Sequence, residues 1–352
     1  GRVQAPGRQR VEGSIGNAPS LADVVRMVHP KRQEAWRAAW FAWLIGKPFD
    51  EAALPPITQA FERFKRENAA GVISLEVPEV PFQMLTALTL TVQQWAQIAK
   101  NGSWQMVRQN LNTFARNGVF ELPGMTEAIA EKLKNANAVA KARAMPYQLL
   151  AAFKATGEQV PAKVRNALQD AMELSIANVP SFAGRVVVCP DVSGSMSSVV
   201  TGNRGTASSS VRCIDVAGLM AAAVLRKNSE ARVLPFEQAV VKGLKLNARD
   251  SVMTNAQKLA KIGGGGTNCS APLKLLADEK AQVDVVIMVS DNESWVDGTR
   301  RGATETMLQW ERIKQRNPGA KLVCIDIQPH GTTQAMERND ILNVGGFSDA
   351  VF

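Results

Sequence analysis

A β-branched run that stops at an acidic, hydroxyl-rich turn is the feature that most constrains this chain. Residues 185–190 read Arg-Val-Val-Val-Cys-Pro, and residues 191–195 read Asp-Val-Ser-Gly-Ser. Such an apolar run is typical of a strand buried on both faces of a parallel sheet, and open α/β sheets bind ligands at the carboxyl ends of their strands. The turn therefore supplies one carboxylate and two hydroxyls, which suit the first half of a divalent-metal site.

Two later segments supply further oxygen donors. Four consecutive glycines at 263–266 precede Thr267, and a second buried-strand pattern over 284–290 ends at Asp291. Mg²⁺ prefers oxygen ligands in a tight octahedron and keeps several waters, so a few hydroxyls with one or two carboxylates suit it. The sequence therefore predicts a Mg²⁺ site. Its expected ligands are Asp191, Ser193, Ser195, Thr267 and Asp291.

These three segments, in this order and at strand ends, resemble the metal-ion-dependent adhesion site of von Willebrand factor A domains. Each segment alone is more often a turn, a helix N-cap or a loop, because Ser, Asp and Gly serve those positions well. The interpretation therefore depends on the three together. A magnesium phosphatase with an aspartyl nucleophile is disfavoured, because such enzymes typically need a second acid where this chain has Ser193.

Strand and helix patterns alternate over residues 181–352, which predicts a doubly wound, mostly parallel sheet. The predicted strands cover 185–191, 231–236, 284–291 and 321–328. The predicted helices of this half cover 211–227, 251–261, 271–279 and 305–316.

Residues 1–180 have helical patterns and almost no strand signal, which suggests stacked helical pairs as in a HEAT-like α-solenoid. The 352-residue length suits two such domains. The predicted helices of this half cover 21–28, 32–45, 57–67, 81–90, 91–100, 103–117, 125–135 and 161–176.

Three segments of the first half, 16–31, 104–111 and 142–150, resemble the TROVE module of Ro60 proteins. The motif Asp-Asn-Glu-Ser at 291–294 matches that family's form of the last metal segment. The resemblance implies a ring of HEAT-like helices closed by a von Willebrand A domain. Family members carry further helices before the segment that begins here, so we expect a fragment whose first helices are missing and whose ring does not close as in the family.

The Ro60 resemblance implies RNA binding. Family members bind small noncoding Y-type RNAs and the single-stranded 3′ ends of misfolded RNAs, in RNA quality control or repair. A cytoplasmic ribonucleoprotein with a nuclease or RNA ligase as partner is the corresponding expectation. The formal net charge of +9 gives independent support, since a basic protein gains affinity for phosphates through counterion release.

Candidate RNA-binding residues lie mostly near the start of the chain. His29 matches a family histidine implicated in Y RNA binding, and its alternative role is a buried histidine at a helix end. Trp36, Trp40 and Trp43 share one helical face, which predicts core packing rather than a base-stacking platform. The full candidate set is Arg8, Arg10, Arg26, His29, Lys31, Arg32, Lys141 and Arg143.

A second function class stays open, namely a Mg²⁺-dependent protein-interaction scaffold that binds no RNA. In that case an acidic residue of a partner protein would complete the coordination of the metal. We expect no enzyme, because no general base lies beside a plausible nucleophile. A metal-dependent nuclease that uses Asp191, Asp291 and Glu293 to position water is the remaining catalytic alternative.

The four cysteines have no paired spacing, so we expect reduced structural thiols of a cytosolic protein. No apolar stretch approaches the roughly 18 to 20 residues needed to span a bilayer. We therefore expect a monomer that does not interact with membranes.

Overall fold

The computed structural model describes residues 19–31, 33–200, 210–291, 305–329 and 333–347. The chain divides into two compact units, residues 1–129 and 130–352. The boundary predicted at residue 180 separates the two expected family domains, which is a different division from that into compact units. It stays a prediction.

The described part of the first unit contains helices and no strand. Two of its helices begin with a capping box, in which Ser20 pairs with Asp23 and Thr91 with Gln94. The helix predicted over 103–117 is broken in two at Asn110, whose side-chain amide donates to the carbonyl of Met106 at 2.8 Å. The helices are α1 Leu21–Val28, α2 Ala35–Leu44, α3 Pro56–Ala69, α4 Phe82–Leu85, α5 Val92–Asn101, α6 Trp104–Gln109 and α7 Leu111–Arg116, followed by α8 Met125–Leu133 at the unit boundary.

The tryptophans of α2 do not form the core face that the sequence predicted. Trp40 and Trp43 are half-buried, whereas Trp36 is 43% exposed and lies beside the guanidinium of Arg37. The buried positions of α2 are the small residues Ala39 and Ala42. The prediction was wrong for Trp36 because helical periodicity identifies a shared face but not how deeply each position lies.

The second unit begins with three helices and continues into the sheet. The helices are α9 Ala136–Lys141, α10 Pro146–Ala155 and α11 Ala162–Ser175. The first two were not predicted as helices. Asn135 caps α9 through the amide of Ala138, and Pro146 occupies the first turn of α10, where its missing N–H costs no hydrogen bond.

All five strands of the sheet are parallel, in the order β2-β1-β3-β4-β5. β1 therefore lies between β2 and β3, and the chain changes direction across the sheet there. In such sheets this switch point opens a crevice at the carboxyl ends of the two strands. The elements are β1 Val186–Pro190, α12 Cys213–Lys227, β2 Arg232–Val233, α13 Val252–Ala260, α14 Ser270–Asp278, β3 Val285–Ser290, α15 Glu305–Arg316, β4 Lys321–Asp326 and β5 Ile341–Gly345.

The predicted alternation of strands and helices in this region is confirmed, with two differences. β2 is only two residues long, and the edge strand β5 was missed. In β5 Ile341 is buried, but Leu342 is 58% exposed and Asn343 and Val344 are half-buried. An edge strand of this kind lacks a strong apolar run, and pairing with β4 is what makes it a strand.

The core of the sheet domain contains the cysteines. All four are buried as thiols, as the absence of paired spacing predicted. Burial raises the pKa of Cys213 to about 12 and that of Cys189 and Cys324 further, so these thiols stay protonated at neutral pH. Among the described helices, none is both long and apolar enough to cross a membrane.

Asp340 anchors the buried Trp310 of α15 and gives a stability prediction. The indole N–H of Trp310 donates to Asp340 at 2.9 Å, and Arg338 pairs with the same carboxylate at 2.8 Å. We expect Asp340→Ala to lower the free energy of unfolding by about 1–3 kcal/mol, because it leaves a buried donor without an acceptor. Urea unfolding at pH 7 measures the loss.

Asp340→Asn is the matched control, because its amide oxygen can still accept from Trp310. Arg338 holds the pKa of Asp340 at about 2, below the ordinary 3.8. This contribution to stability is complete above pH 4 and is lost as the pH falls towards 2, because the unfolded state binds the proton first. Equal losses for the Ala and Asn variants would contradict the role assigned to the indole bond.

Candidate functional site

Two buried carboxylates lie at the switch point of the sheet. Asp191 directly follows β1 and is fully buried, and Asp291 directly follows β3 and is 2% exposed. The two strands are hydrogen-bonded neighbours, with Pro190 paired to Val289 at their ends. Parallel pairing thus brings together two acids that are 100 positions apart in the sequence.

Two uncharged hydrogen-bond donors hold the carboxylate of Asp191. The backbone N–H of Ser193 donates to its Oδ1 at 2.8 Å, and the hydroxyl of Ser290 donates to its Oδ2 at 2.6 Å. Burial raises the pKa of Asp191 to about 6, the two serines oppose that rise, and the charge of Asp291 adds slightly to it. Within the described part of the chain, no cationic side chain forms an ion pair with Asp191.

Three hydroxyls form a chain beside the carboxylates. Thr267 donates to the hydroxyl of Ser193 at 2.9 Å, and the hydroxyls of Ser193 and Ser195 are 3.2 Å apart. Ser193 and Thr267 are each 1% exposed. The structure therefore brings Thr267 into contact with Ser193 across 74 positions of sequence, and Ser193 links it to Ser195.

The glycine loop is held against the turn after β1 by backbone hydrogen bonds. The N–H of Gly194 donates to the carbonyl of Gly265 at 3.1 Å. Gly265 has a φ of +68°, a conformation that favours glycine. A side chain there would also meet Glu237, whose carboxylate lies 2.5 Å from the position a Cβ would take. The run of glycines thus allows the backbone to approach the turn and deliver Thr267.

The donor set fits a hard divalent cation. Two carboxylates and three hydroxyls offer only oxygen, which is the ligand type that Mg²⁺ selects. A buried carboxylate whose pKa is raised by desolvation, with no cationic partner in the described part of the chain, gains from a nearby positive charge. Asp191, Ser193, Ser195, Thr267 and Asp291 are thus suited to hold such an ion.

Sequence reasoning missed the direct role of Ser290. Its hydroxyl donates to Asp191 and so orients the carboxylate that a cation would contact. Orientation of metal ligands by neighbouring hydrogen bonds is a general feature of metal sites. The available signal was its position as the last residue of a buried strand, immediately before Asp291.

His29 lies at the carboxyl end of α1, where it is exposed and has a φ of +47°. The alternative of a buried helix-end histidine is therefore wrong. Arg26 and Lys31 are exposed in the same short segment, and Arg26 forms an ion pair with Asp23 at 3.2 Å. Three of the predicted RNA-binding residues are thus accessible together. Arg8, Arg10 and Arg32 lie outside the described residues.

The last two basic candidates belong to the second compact unit. Lys141 ends α9 and Arg143 follows it with a φ of +47°, and both side chains are exposed. They are close to each other in sequence and space. Glu293, the third acid of the nuclease alternative, lies outside the described residues, as do residues 292 and 294 of the Asp-Asn-Glu-Ser motif.

Comparisons with protein families, curated proteins and solved structures each give a match. Residues 185–352 match the family model described as the Ro60 vWA domain. The RNA-binding protein RO60 of Deinococcus radiodurans is 25% identical over 359 aligned residues, which cover 94% of this chain. The chain spans 64% of the length of that relative.

A crystal structure of the Deinococcus radiodurans RO (RSR) protein superposes with a TM-score of 0.70 at 21% identity. The match covers 97% of this chain and 71% of that one. It shows that a helical region followed by a parallel-sheet von Willebrand A domain, as predicted, is the fold of this chain. The resemblance to Ro60 that the sequence motifs indicated is confirmed.

Proposed function

We propose that this chain, whose residues 185–352 form a von Willebrand A domain of the Ro60 type, is an RNA-binding component of a ribonucleoprotein. The observation that carries the proposal is its alignment, over 94% of its length, with a relative named as an RNA-binding protein. The net charge of +9 and the exposed segment with Arg26, His29 and Lys31 support it, because accessible basic side chains release counterions on binding phosphates.

The finer parts of the proposal concern the RNA and the setting. The RNA would be a small noncoding RNA or the single-stranded 3′ end of a misfolded one, bound in the cytoplasm and without catalysis by this chain. A nuclease or RNA ligase would act as partner on the bound RNA. These statements rest on the resemblance to Ro60 proteins.

Mg²⁺ would be held at the switch point by Asp191, Ser193, Ser195, Thr267 and Asp291. When bound, it would supply a positive charge and a coordination position for a carboxylate or phosphate oxygen. The hydroxyl chain and the Ser290 bond to Asp191 keep the donors in place.

Binding of a structured RNA with a single-stranded 3′ tail tests the proposal, with the same RNA lacking the tail as control. We expect tight, tail-dependent binding that weakens steeply with salt, with a logarithmic slope of about −0.7 for each single-strand phosphate contact. EDTA should leave the affinity unchanged. An EDTA-sensitive, salt-insensitive complex would be the opposite result.

A Mg²⁺-dependent protein-interaction module is the second candidate function. The observation that favours it is the oxygen-only cluster at the end of β1 and β3, which suits a cation that shares an acidic ligand with a partner. In that case the protein would bind RNA no better than a generic basic protein. Its complex with an acidic partner would dissociate in EDTA.

A further inference from the structure

A second cluster of charged side chains surrounds a cavity of about 360 Å³ in the second compact unit. The cavity lies among α10, α12 and α13 and includes Lys154, Arg212, Asp215 and Lys261 in its lining. None of the proposed metal ligands lines it. Its volume is at the lower end of the range for small-molecule sites, about 300–1,000 Å³.

The charge of the cavity lining is positive. Three cationic side chains face one carboxylate, and that carboxylate is already engaged. Asp215 is buried, and it accepts from Lys154 at 2.6 Å and from Arg212 at 2.9, 3.1 and 3.2 Å. Two positive charges are therefore left in excess, which favours an anionic ligand.

N–H donors remain after Asp215 is satisfied. The side chain of Arg212 uses Nε and Nη2 for its bonds to Asp215, and a guanidinium has five N–H donors. The ammonium of Lys154 has three donors and gives one to Asp215. Lys261 is exposed and forms no ion pair with any residue in the described ranges. A phosphate group, with three or more acceptor oxygens, matches these donors.

Half of the residues that line the cavity are apolar, which a phosphate alone would not require. Leu150, Phe153 and Met253 line it together with Ala256 and Ala260. The ring of Phe153 is held by the guanidinium of Arg165, 5.7 Å from its centroid. Aromatic and apolar side chains of this kind accept the flat face of a nucleobase with little sequence preference.

We propose that this cavity binds one nucleoside monophosphate, with the phosphate against Lys154, Arg212 and Lys261 and the base against the apolar side chains around Phe153. This nucleotide belongs to the bound RNA, and in this respect the inference rests on the RNA-binding function proposed above. A free nucleotide has the same chemistry and is the other possible source. Asp215 acts as a positioning residue, because it holds Lys154 and Arg212 side by side.

Calorimetric titration of the full chain with AMP tests the cavity directly. Lys261→Gln is the test variant, because Lys261 is exposed and forms no ion pair with a described residue, so the variant should fold normally. Lys245→Gln, at an exposed lysine outside the cavity, is the charge-matched control. We expect AMP to bind about tenfold to a hundredfold more weakly to Lys261→Gln, the loss typical of one charge-assisted hydrogen bond, and normally to Lys245→Gln.

Two results would overturn the inference: no binding of AMP, or equal weakening in both variants. Inorganic phosphate that binds as tightly as AMP would show that the base does not contribute to binding. That result would also overturn the inference. RNA affinity, measured in the same three proteins, identifies the source. A selective loss in Lys261→Gln assigns the cavity to RNA, and unchanged RNA binding with selective AMP loss assigns it to a free nucleotide.

The measurement of RNA affinity also distinguishes a failure of this inference from a failure of the proposed function. If RNA binds all three proteins equally well and AMP binds none, the cavity assignment fails and RNA binding stands. If AMP binds selectively and RNA does not bind at all, the proposed function fails and the cavity remains a nucleotide site.

Discussion

Mg²⁺ at about 100 times its dissociation constant is expected to stabilise the protein by about 2.7 kcal/mol. For a unit of this size that corresponds to a rise in melting temperature of roughly 5 to 10 °C. The physical reason is that the buried Asp191, whose pKa is raised to about 6 by desolvation, lacks a cationic partner in the described part of the chain. Thermal unfolding with and without Mg²⁺, followed by EDTA, measures the effect.

Asp191→Ala is expected to abolish this Mg²⁺ response, because it removes a carboxylate at the centre of the donor set. A matched pair at Thr267 refines the test. Thr267→Val keeps the shape of the buried side chain without its hydroxyl and should lose much of the response, whereas Thr267→Ser should keep it. A response of equal size in Thr267→Val and the unmodified protein would exclude that hydroxyl from the site.

The double variant His29→Asn, Lys31→Gln is expected to weaken RNA binding by about tenfold or more, if both side chains contact phosphates. The salt slope should also become shallower by about 0.7 for each lost single-strand phosphate contact. Both residues are exposed, so little stability should be lost. Asn is chosen at position 29 because it tolerates the left-handed φ of +47° found there.

Lys47→Gln is the control for the loss of charge, because Lys47 is an exposed lysine of the same compact unit. It should leave both the affinity and the salt slope nearly unchanged. Filter binding across a salt series compares the three proteins. Equal affinities for the double variant and the control would show that the segment around His29 is not part of the RNA interface.

Particular elements show how far sequence patterns predict this fold. The helix predicted over 305–316 has the bounds that the structure gives α15, because its apolar and charged residues follow a clear helical period. The helix predicted over 103–117 is two helices instead. The side chain of Asn110 donates to the carbonyl of Met106 at the break, and helical periodicity does not reveal that bond. β5 was missed because it is a strand through its pairing with β4.

The residues of the candidate site also differ in whether the sequence alone could identify their role. The sequence could suggest the five candidate ligands because acids and hydroxyls that follow apolar runs, or a glycine run, are conspicuous. They are Asp191, Ser193, Ser195, Thr267 and Asp291. Ser290 could not be assigned its bond to Asp191, because that contact joins residues 99 positions apart. The pocket around Asp215 was likewise hidden, since Lys154 meets Asp215 across 61 positions.

The sequence by itself determined the fold class and the order of the strands and helices of the sheet domain apart from β5, and it predicted the oxygen donors of the candidate metal site. These follow from local periodicity, strand ends and side-chain chemistry. Only the tertiary structure decided that the hydroxyls of Ser193, Ser195 and Thr267 touch, that His29 is exposed and that Lys154 and Arg212 share one carboxylate. Such contacts depend on the pairing of strands and the packing of helices that are distant in sequence, and local patterns carry no record of them.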